Sequence, residues 1–113
     1  MDGPIIQTDV ESRLLRCVSR LEEETERYAE VSEARARAEA EFKRRYFTAL
    51  VSQGKVETVA RREAFAHLQA KDEFSDWKLF EAQEKATQQA LIAVRTQIEA
   101  LRTLSANVRA MGG

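Results

Sequence analysis

The chain has 113 residues, of which 43% are hydrophobic and 33% charged, and its formal net charge is -1. This length indicates one domain over residues 1–113, and the balanced charge excludes a globally basic nucleic-acid-binding protein while leaving local patches open. The single cysteine, Cys17, excludes an intramolecular disulfide and is typical of a reducing compartment. No apolar run approaches the roughly 20 residues of a membrane span, and residues 1–8 lack a signal-peptide pattern. We therefore expect a cytoplasmic protein with no membrane partner.

The first predicted element is a helix over about residues 8–53. Thr8 and Glu11 have the spacing of a capping box, which predicts that Thr8 caps this helix. Large residues then recur at the two core positions of a heptad pattern, called a and d, which is typical of a coiled coil. These positions hold Leu14, Leu21, Tyr28, Arg35, Phe42 and Ala49, and Val10, Cys17, Glu24, Val31, Ala38 and Arg45.

The second predicted element is a turn over about residues 54–57, followed by a helix over about residues 58–110. Gly54 is expected to adopt the left-handed conformation that ends a helix, and Gly112 and Gly113 are expected to stop the second helix. The heptad positions of this helix include Trp77, Phe80, Leu91, Val94, Ile98 and Leu101. The predicted fold is thus an all-α, long antiparallel two-helix coiled-coil hairpin.

A hairpin centred on Gly54 also predicts which charged residues face each other. It places Arg35 against Glu73 and Arg45 against Glu63, and such opposite-charge pairs are able to fix the register of two helices. The same register leaves one like-charge pair, Glu24 against Glu84.

Further apolar residues lie outside the heptad positions, and two paired helices alone would leave them uncovered. We predict that the hairpin assembles into a multi-helix homo-oligomer. The predicted oligomer surface comprises Leu50, Val51, Leu68 and Leu79. The alternative is that long lysine and arginine side chains cover these residues.

The sequence contains no pattern that indicates catalysis, a cofactor or a metal. His67 is the only histidine, and no cysteine or second histidine stands at ligand spacing from it. We expect His67 to flank the core near Phe42, and Cys17 to act as a small hydrophobic residue. A helical hairpin also lacks the concave site that general acid–base chemistry needs. We expect a protein that is not an enzyme.

Charge is distributed unevenly along the chain. Residues 35–63 contain eight basic and four acidic residues, a net charge of +4, whereas the remainder carries -5. Basic and aromatic residues alternate at this turn end, a combination that suits phosphate contact with base stacking, or an acidic protein partner. The candidate binding residues are Lys43, Arg44, Arg61, Arg62, Tyr46, Phe47 and Phe65. The alternative interpretation is a solvated charged face near a helix end.

Four stretches carry a resemblance to a known group of proteins. They are Phe42-Lys43-Arg44-Arg45-Tyr46, Gly54-Lys55-Val56, Arg61-Arg62-Glu63-Ala64 and residues 101–109. The chain resembles short helical-hairpin proteins of tailed bacteriophages, which are often encoded near recombination or replication genes. The resemblance implies an accessory role in phage DNA metabolism, in the cytoplasm of the host cell.

The leading hypothesis is a non-enzymatic phage accessory protein that binds a DNA-processing protein, or DNA itself, through the basic and aromatic turn end. One alternative is a structural or scaffolding coiled coil, or an assembly chaperone, that uses the apolar residues. A second alternative is a small inhibitor of a host protein.

Overall fold

The structure, a computed structural model, describes residues 6–54 and 57–112. It contains three helices, α1 (Gln7–Ser52), α2 (Val59–Gln69) and α3 (Lys71–Gly112). All regular secondary structure in these two ranges is helical, which confirms the all-α prediction. None of the three helices is long and apolar enough, over the described residues, to cross a membrane.

Helix α1 begins one residue earlier than predicted. Thr8 already lies inside the helix, and the carbonyl of Ile6 accepts hydrogen bonds from the backbone N–H groups of Asp9 and Val10. The predicted capping box at Thr8 and Glu11 is therefore wrong, because a capping residue must precede the first helical residue. The side chain of Glu11 instead accepts a hydrogen bond from Gln7, one turn before it.

The turn after α1 contains the predicted left-handed glycine. Gly54 has φ of 64°, and its N–H donates to the carbonyl of Val51. Lys55 and Val56, which the prediction also placed in the turn, lie outside the described residues. The hydroxyl of Thr58 then accepts from the backbone N–H of Arg61 and so caps α2.

The second helix is interrupted, whereas the sequence predicts one continuous helix over residues 58–110. Ala70 separates α2 from α3, with φ of -104° and ψ of 16°, a rotation away from ideal helical geometry. The carbonyl of Gln69, the residue before Ala70, accepts a hydrogen bond from Nε of Arg45 at 3.4 Å. Ala66 and Ala70 are both fully buried, so small side chains allow close packing at this bend.

The described chain divides into two compact units, which we name by position. The terminal unit combines Met1–Tyr28 with Thr87–Gly113, and the central unit is Ala29–Ala86. Helix α1 contributes residues to both units, as does α3. The prediction of a single domain stays a prediction.

The terminal unit has a core drawn from the predicted heptad positions. Cys17, Val94 and Ile98 form a buried cluster, and Leu14, Leu21 and Leu101 pack against it. Val10 and Leu91 are buried as well. At one edge of this core, Nε2 of Gln7 donates to the buried hydroxyl of Ser105 at 2.8 Å. The heptad pattern therefore identified the core residues of this unit.

The central unit shows a register different from the predicted one. Nε of Arg35 lies 3.2 Å from a carboxylate oxygen of Glu84, and Nε of Arg45 lies 3.8 Å from Glu73. The predicted partners were Glu73 and Glu63, and Glu84 was predicted to face Glu24. The observed pairs centre on about residue 59 instead of Gly54, because the chain between α1 and α3 includes a longer turn and α2.

Candidate binding surface at the aromatic end of the central unit

Six rings form a connected network in the central unit, which we call the aromatic network. Helix α1 contributes Phe42, Tyr46 and Phe47, helix α2 contributes His67, and α3 contributes Phe74 and Trp77. Residues 42 and 46 stand one helical turn apart, as do 74 and 77, so each helix presents neighbouring rings on one face. The rings thus join all three helices of this unit.

Phe42 is the centre of the network. Its ring centroid lies 5.4 Å from that of Phe74 in an edge-on arrangement and 5.3 Å from that of Trp77 in a stacked one. These separations fall in the range in which aromatic pairs attract one another. Phe42 thereby joins α1 to α3 in the central unit.

Tyr46 extends the network toward α2 and the surface. Its ring centroid lies 4.9 Å from His67 and 5.3 Å from Phe47, both in edge-on arrangements. His67 was expected near Phe42, but it contacts the next ring along α1. Across the described residues, no group of three or more histidine, cysteine, aspartate or glutamate side chains is arranged to hold a metal.

Three of the six rings are exposed, namely Phe47, His67 and Phe74. Phe47 is 55% exposed and Phe74 is 41% exposed, although each also contacts another ring of the network. Val51, one turn after Phe47 on α1, is exposed as well. The aromatic network therefore offers an apolar outer surface on a base of packed rings.

Lys78 places a cation at this surface, and its Nζ also lies 3.4 Å from a carboxylate oxygen of Glu81. Its Nζ lies 4.2 Å from the ring centroid of Trp77 and 5.5 Å from that of Phe74, which are cation–π distances. The buried Nε1 of Trp77 has no hydrogen-bond partner among the described residues. Phe74 and Lys78 were missed as candidate residues, although their spacing around Trp77 places all three on one helix face.

Three of the four basic residues proposed from the sequence have carboxylate partners three or four residues away in the chain. Nζ of Lys43 lies 2.8 Å from Glu39, the guanidinium of Arg44 binds Glu41, and that of Arg61 lies 3.5 Å from Glu57. These three cations are therefore paired locally in the chain, and their role as binding residues stays a prediction. Spacings of three or four residues in the sequence would have revealed the partners.

The ion pairs of Glu39 and Glu41 also shift pKa values at this end of the unit. The hydrogen bond from Lys43, joined by one from Arg35, lowers the pKa of Glu39 below its ordinary value. The hydrogen bond from Arg44 lowers the pKa of Glu41, and the same bond raises the pKa of Arg44. The surface charge of the aromatic end is therefore largely compensated within the chain.

The remaining candidates occupy different environments. Arg62 is half-buried, and its Nε is buried without a hydrogen-bond partner in the described residues. Phe65 is half-buried too, and it lines a pocket of about 180 Å³ together with Arg45 and Ala49. Neither residue takes part in the ring contacts described above.

The four residues of the predicted oligomer surface are not equally accessible. Leu50 is half-buried, whereas Val51, Leu68 and Leu79 are exposed. Val51 lies beside Phe47, so part of the predicted oligomer surface coincides with the surface of the aromatic network.

No protein-family model matches the chain, and no curated protein sequence or solved structure matches it.

Proposed function

We propose that this chain is a non-enzymatic binding protein that engages a partner protein through the aromatic network of its central unit. The observation that carries the proposal is the pair of exposed phenylalanine rings, Phe47 and Phe74, held on a packed base of further rings. Rigid aromatic side chains lose little conformational entropy on binding, and they dominate the energetics of many protein interfaces.

Charge compensation favours a protein over a nucleic acid as the partner. Lys43, Arg44 and Arg61 would each have to exchange an intrachain carboxylate for a phosphate, with little net gain. The neighbouring carboxylates would also repel the nucleic-acid backbone. Strong DNA binding needs several uncompensated cations. Each phosphate that they neutralise releases counterions, so the affinity falls steeply as salt rises.

A phage accessory role, with a DNA-processing protein as partner, is the more specific form of this proposal. Its support is the sequence resemblance alone.

The antiparallel coiled-coil hairpin is likewise a proposal. Inside each unit, residues farther along α1 contact residues nearer the start of α3, as they do in antiparallel helices. Gln7 and Arg20 meet Ser105 and Gln97, and Arg35 and Arg45 meet Glu84 and Glu73.

The second candidate function is a scaffolding coiled coil that assembles with itself. The exposure of Val51, Leu68 and Leu79 favours it, since an oligomer would cover these side chains. In this case the occupant of the apolar surface would be another copy of the chain.

Site-specific photo-crosslinking distinguishes these functions. A benzophenone amino acid is placed at Phe47 and, as a matched control, at Leu15, an exposed apolar residue of the terminal unit. In an extract of the cells that contain the protein, we expect the benzophenone at position 47 to form one covalent adduct with a different protein. The benzophenone at position 15 should not form this adduct. The adduct should disappear when Phe74→Ser is added to the crosslinking variant.

Three results would contradict the proposal. Identical adducts from both positions would show that the aromatic network confers no selectivity. An adduct consisting only of a second copy would favour the scaffolding function. The third result is binding of a single-stranded DNA with an affinity that falls steeply with salt. If Arg61→Gln/Arg62→Gln also abolishes this binding, the nucleic-acid hypothesis is favoured.

A further inference from the structure

The terminal unit contains a groove between α1 and α3 that is rich in arginine. The groove has a volume of about 500 Å³, and Arg13, Arg16 and Arg20 line it above the side chains of Cys17 and Leu101. Nη1 of Arg20 donates to Gln97 at 3.3 Å. In the described ranges none of these three arginines takes part in an ion pair, in contrast to Lys43 and Arg44 of the central unit.

The same helix carries free carboxylates one turn farther along. Arg16, Arg20, Glu23 and Glu26 follow one another at spacings of four, three and three residues, so they form one stripe along α1. All four are exposed, and neither glutamate has an ion-pair partner within residues 6–54 and 57–112. The stripe is therefore positive in its first half and negative in its second.

We propose that this stripe is the contact surface for a second copy of the chain, which lies antiparallel across a two-fold axis near residue 21. The basic half of each copy then meets the acidic half of the other. Arg20 faces the second copy's Glu23, and Arg16 faces the second copy's Glu26. Because a two-fold interface is self-complementary, each ion pair forms twice.

The distribution of charge favours a second copy over a nucleic acid at this surface. Glu22, Glu23 and Glu26 lie within two turns of Arg20, so a phosphate backbone following the stripe would meet three carboxylates. A second copy meets the same carboxylates with arginines. Self-association through the terminal unit also leaves the aromatic network of the central unit free for a different protein.

The test is a pair of charge-reversed variants of the full chain. One carries Arg16→Glu/Arg20→Glu, and the other carries Glu23→Arg/Glu26→Arg; both changes keep good helix formers at exposed helical positions. Circular dichroism checks that each variant folds. Sedimentation equilibrium then gives the mass of the wild type, of each variant, and of their equimolar mixture.

We expect the wild type to dimerise at low ionic strength and each variant alone to be a monomer, because like charges would face each other. The mixture should dimerise again, since the two reversed stripes are complementary. We expect the dissociation constant to rise at least about tenfold at about 1 M salt, where the Debye length is about 3 Å.

The proposal is overturned by a monomeric wild type, or by variants that retain the wild-type mass. It is also overturned if the mixture of variants stays monomeric, because the loss of dimers would then have another cause. If Val51→Ser/Leu68→Ser alone abolishes dimers, the interface is the apolar surface of the central unit. If single-stranded DNA binds and Arg16→Glu/Arg20→Glu prevents it, the stripe serves a nucleic acid.

Discussion

Nε of Arg35 donates to both carboxylate oxygens of Glu84 at 3.2 Å, and the adjacent Nη1 donates to Glu39 at 3.0 Å. This arrangement links α1 to α3 in the central unit and shares one guanidinium between two carboxylates. Lys43 binds the same Glu39, so the four charged side chains form one network. The hydrogen bond to Glu84 is the main cause that raises the pKa of Arg35.

We predict that Glu84→Gln and Arg35→Gln each lower the urea midpoint of unfolding, measured by circular dichroism. The side chains of this pair are only 29% and 19% exposed, so the residue that remains is poorly solvated. The matched control is Arg37→Gln, which breaks a pair whose side chains are 79% and 63% exposed. We expect the control to change the midpoint less, since exposed ion pairs contribute little. Equal effects would contradict the assignment of Arg35 to the link between the helices.

The core of the terminal unit gives a second prediction. Ile98 is 6% exposed and Ile92, on the same helix, is 48% exposed. We expect Ile98→Ala to lower the free energy of unfolding by about 2–5 kcal/mol, because it removes buried methyl groups and leaves a cavity against Cys17 and Val94. Ile92→Ala should have a clearly smaller effect in the same urea titration. A comparable loss at Ile92 would indicate that this residue is covered in solution, for example by a partner.

The turn offers a test of backbone strain. A side chain at Gly54 would meet no atom within 4 Å, so only its φ of +64° opposes a substitution. We expect Gly54→Ala to lower the free energy of unfolding by about 1 kcal/mol, the usual cost of placing an L-residue in the left-handed region. Gly112→Ala is the control, because Gly112 ends α3 without a positive φ. A neutral Gly54→Ala variant would mean that the turn adjusts to a different conformation.

The ion pairs of Glu39 and Glu41 predict how stability depends on pH. Both carboxyl groups have pKa values lowered from about 4.5, Glu39 mainly by Lys43 and Glu41 mainly by Arg44. A lowered pKa contributes stability above the ordinary value, and this contribution is lost as the pH falls through the lowered one. We therefore expect the melting temperature of the wild type to fall below about pH 4.5. Glu39→Gln/Glu41→Gln should lessen that fall.

Glu30→Gln serves as the control for the pH dependence. Glu30 is exposed and has no ion pair within the described part of the chain. The Glu30→Gln variant should keep the wild-type dependence of melting temperature on pH. If Glu39→Gln/Glu41→Gln also kept it, these ion pairs would not contribute to folding.

Much of the helical structure was predictable from residue spacing. The absence of internal proline and the heptad recurrence indicated helices. Among the predicted core positions, Val10, Cys17, Leu91, Val94 and Ile98 are buried in the structure. The position of Gly54 in the turn was also predictable, because few other residues adopt a positive φ without strain.

The register was not predictable by the same means. The bend at Ala70 has neither glycine nor proline to signal it, and alanine is the strongest helix former. Tertiary contacts surround the bend instead, since Ala66 and Ala70 are buried and Nε of Arg45 donates to the carbonyl of Gln69. A pairing scheme that assumes one continuous helix therefore assigns Arg35 and Arg45 to the wrong glutamates.

The aromatic end was only partly predictable. Tyr46 and Phe47 were found from their position among basic residues, but the sequence does not show which rings approach from another helix. Sequence spacing places Phe74 and Lys78 on one helix face with Trp77, but only the observed register shows that this face meets Phe42 of α1. The positive charge available for binding was overestimated, because Lys43, Arg44 and Arg61 are paired with carboxylates nearby in the chain.

Helix α2 has a consequence for the dynamics of the chain. It is 11 residues long, shorter than the roughly 12–15 residues at which an isolated helix becomes even marginally stable, and its buried side chain is an alanine. We therefore expect α2 to open and close as a separate cooperative unit, with faster amide hydrogen exchange than the core of the terminal unit. Since α2 carries His67 beside Tyr46, a partner that binds the aromatic network would slow amide exchange in Val59–Gln69 even where it makes no direct contact.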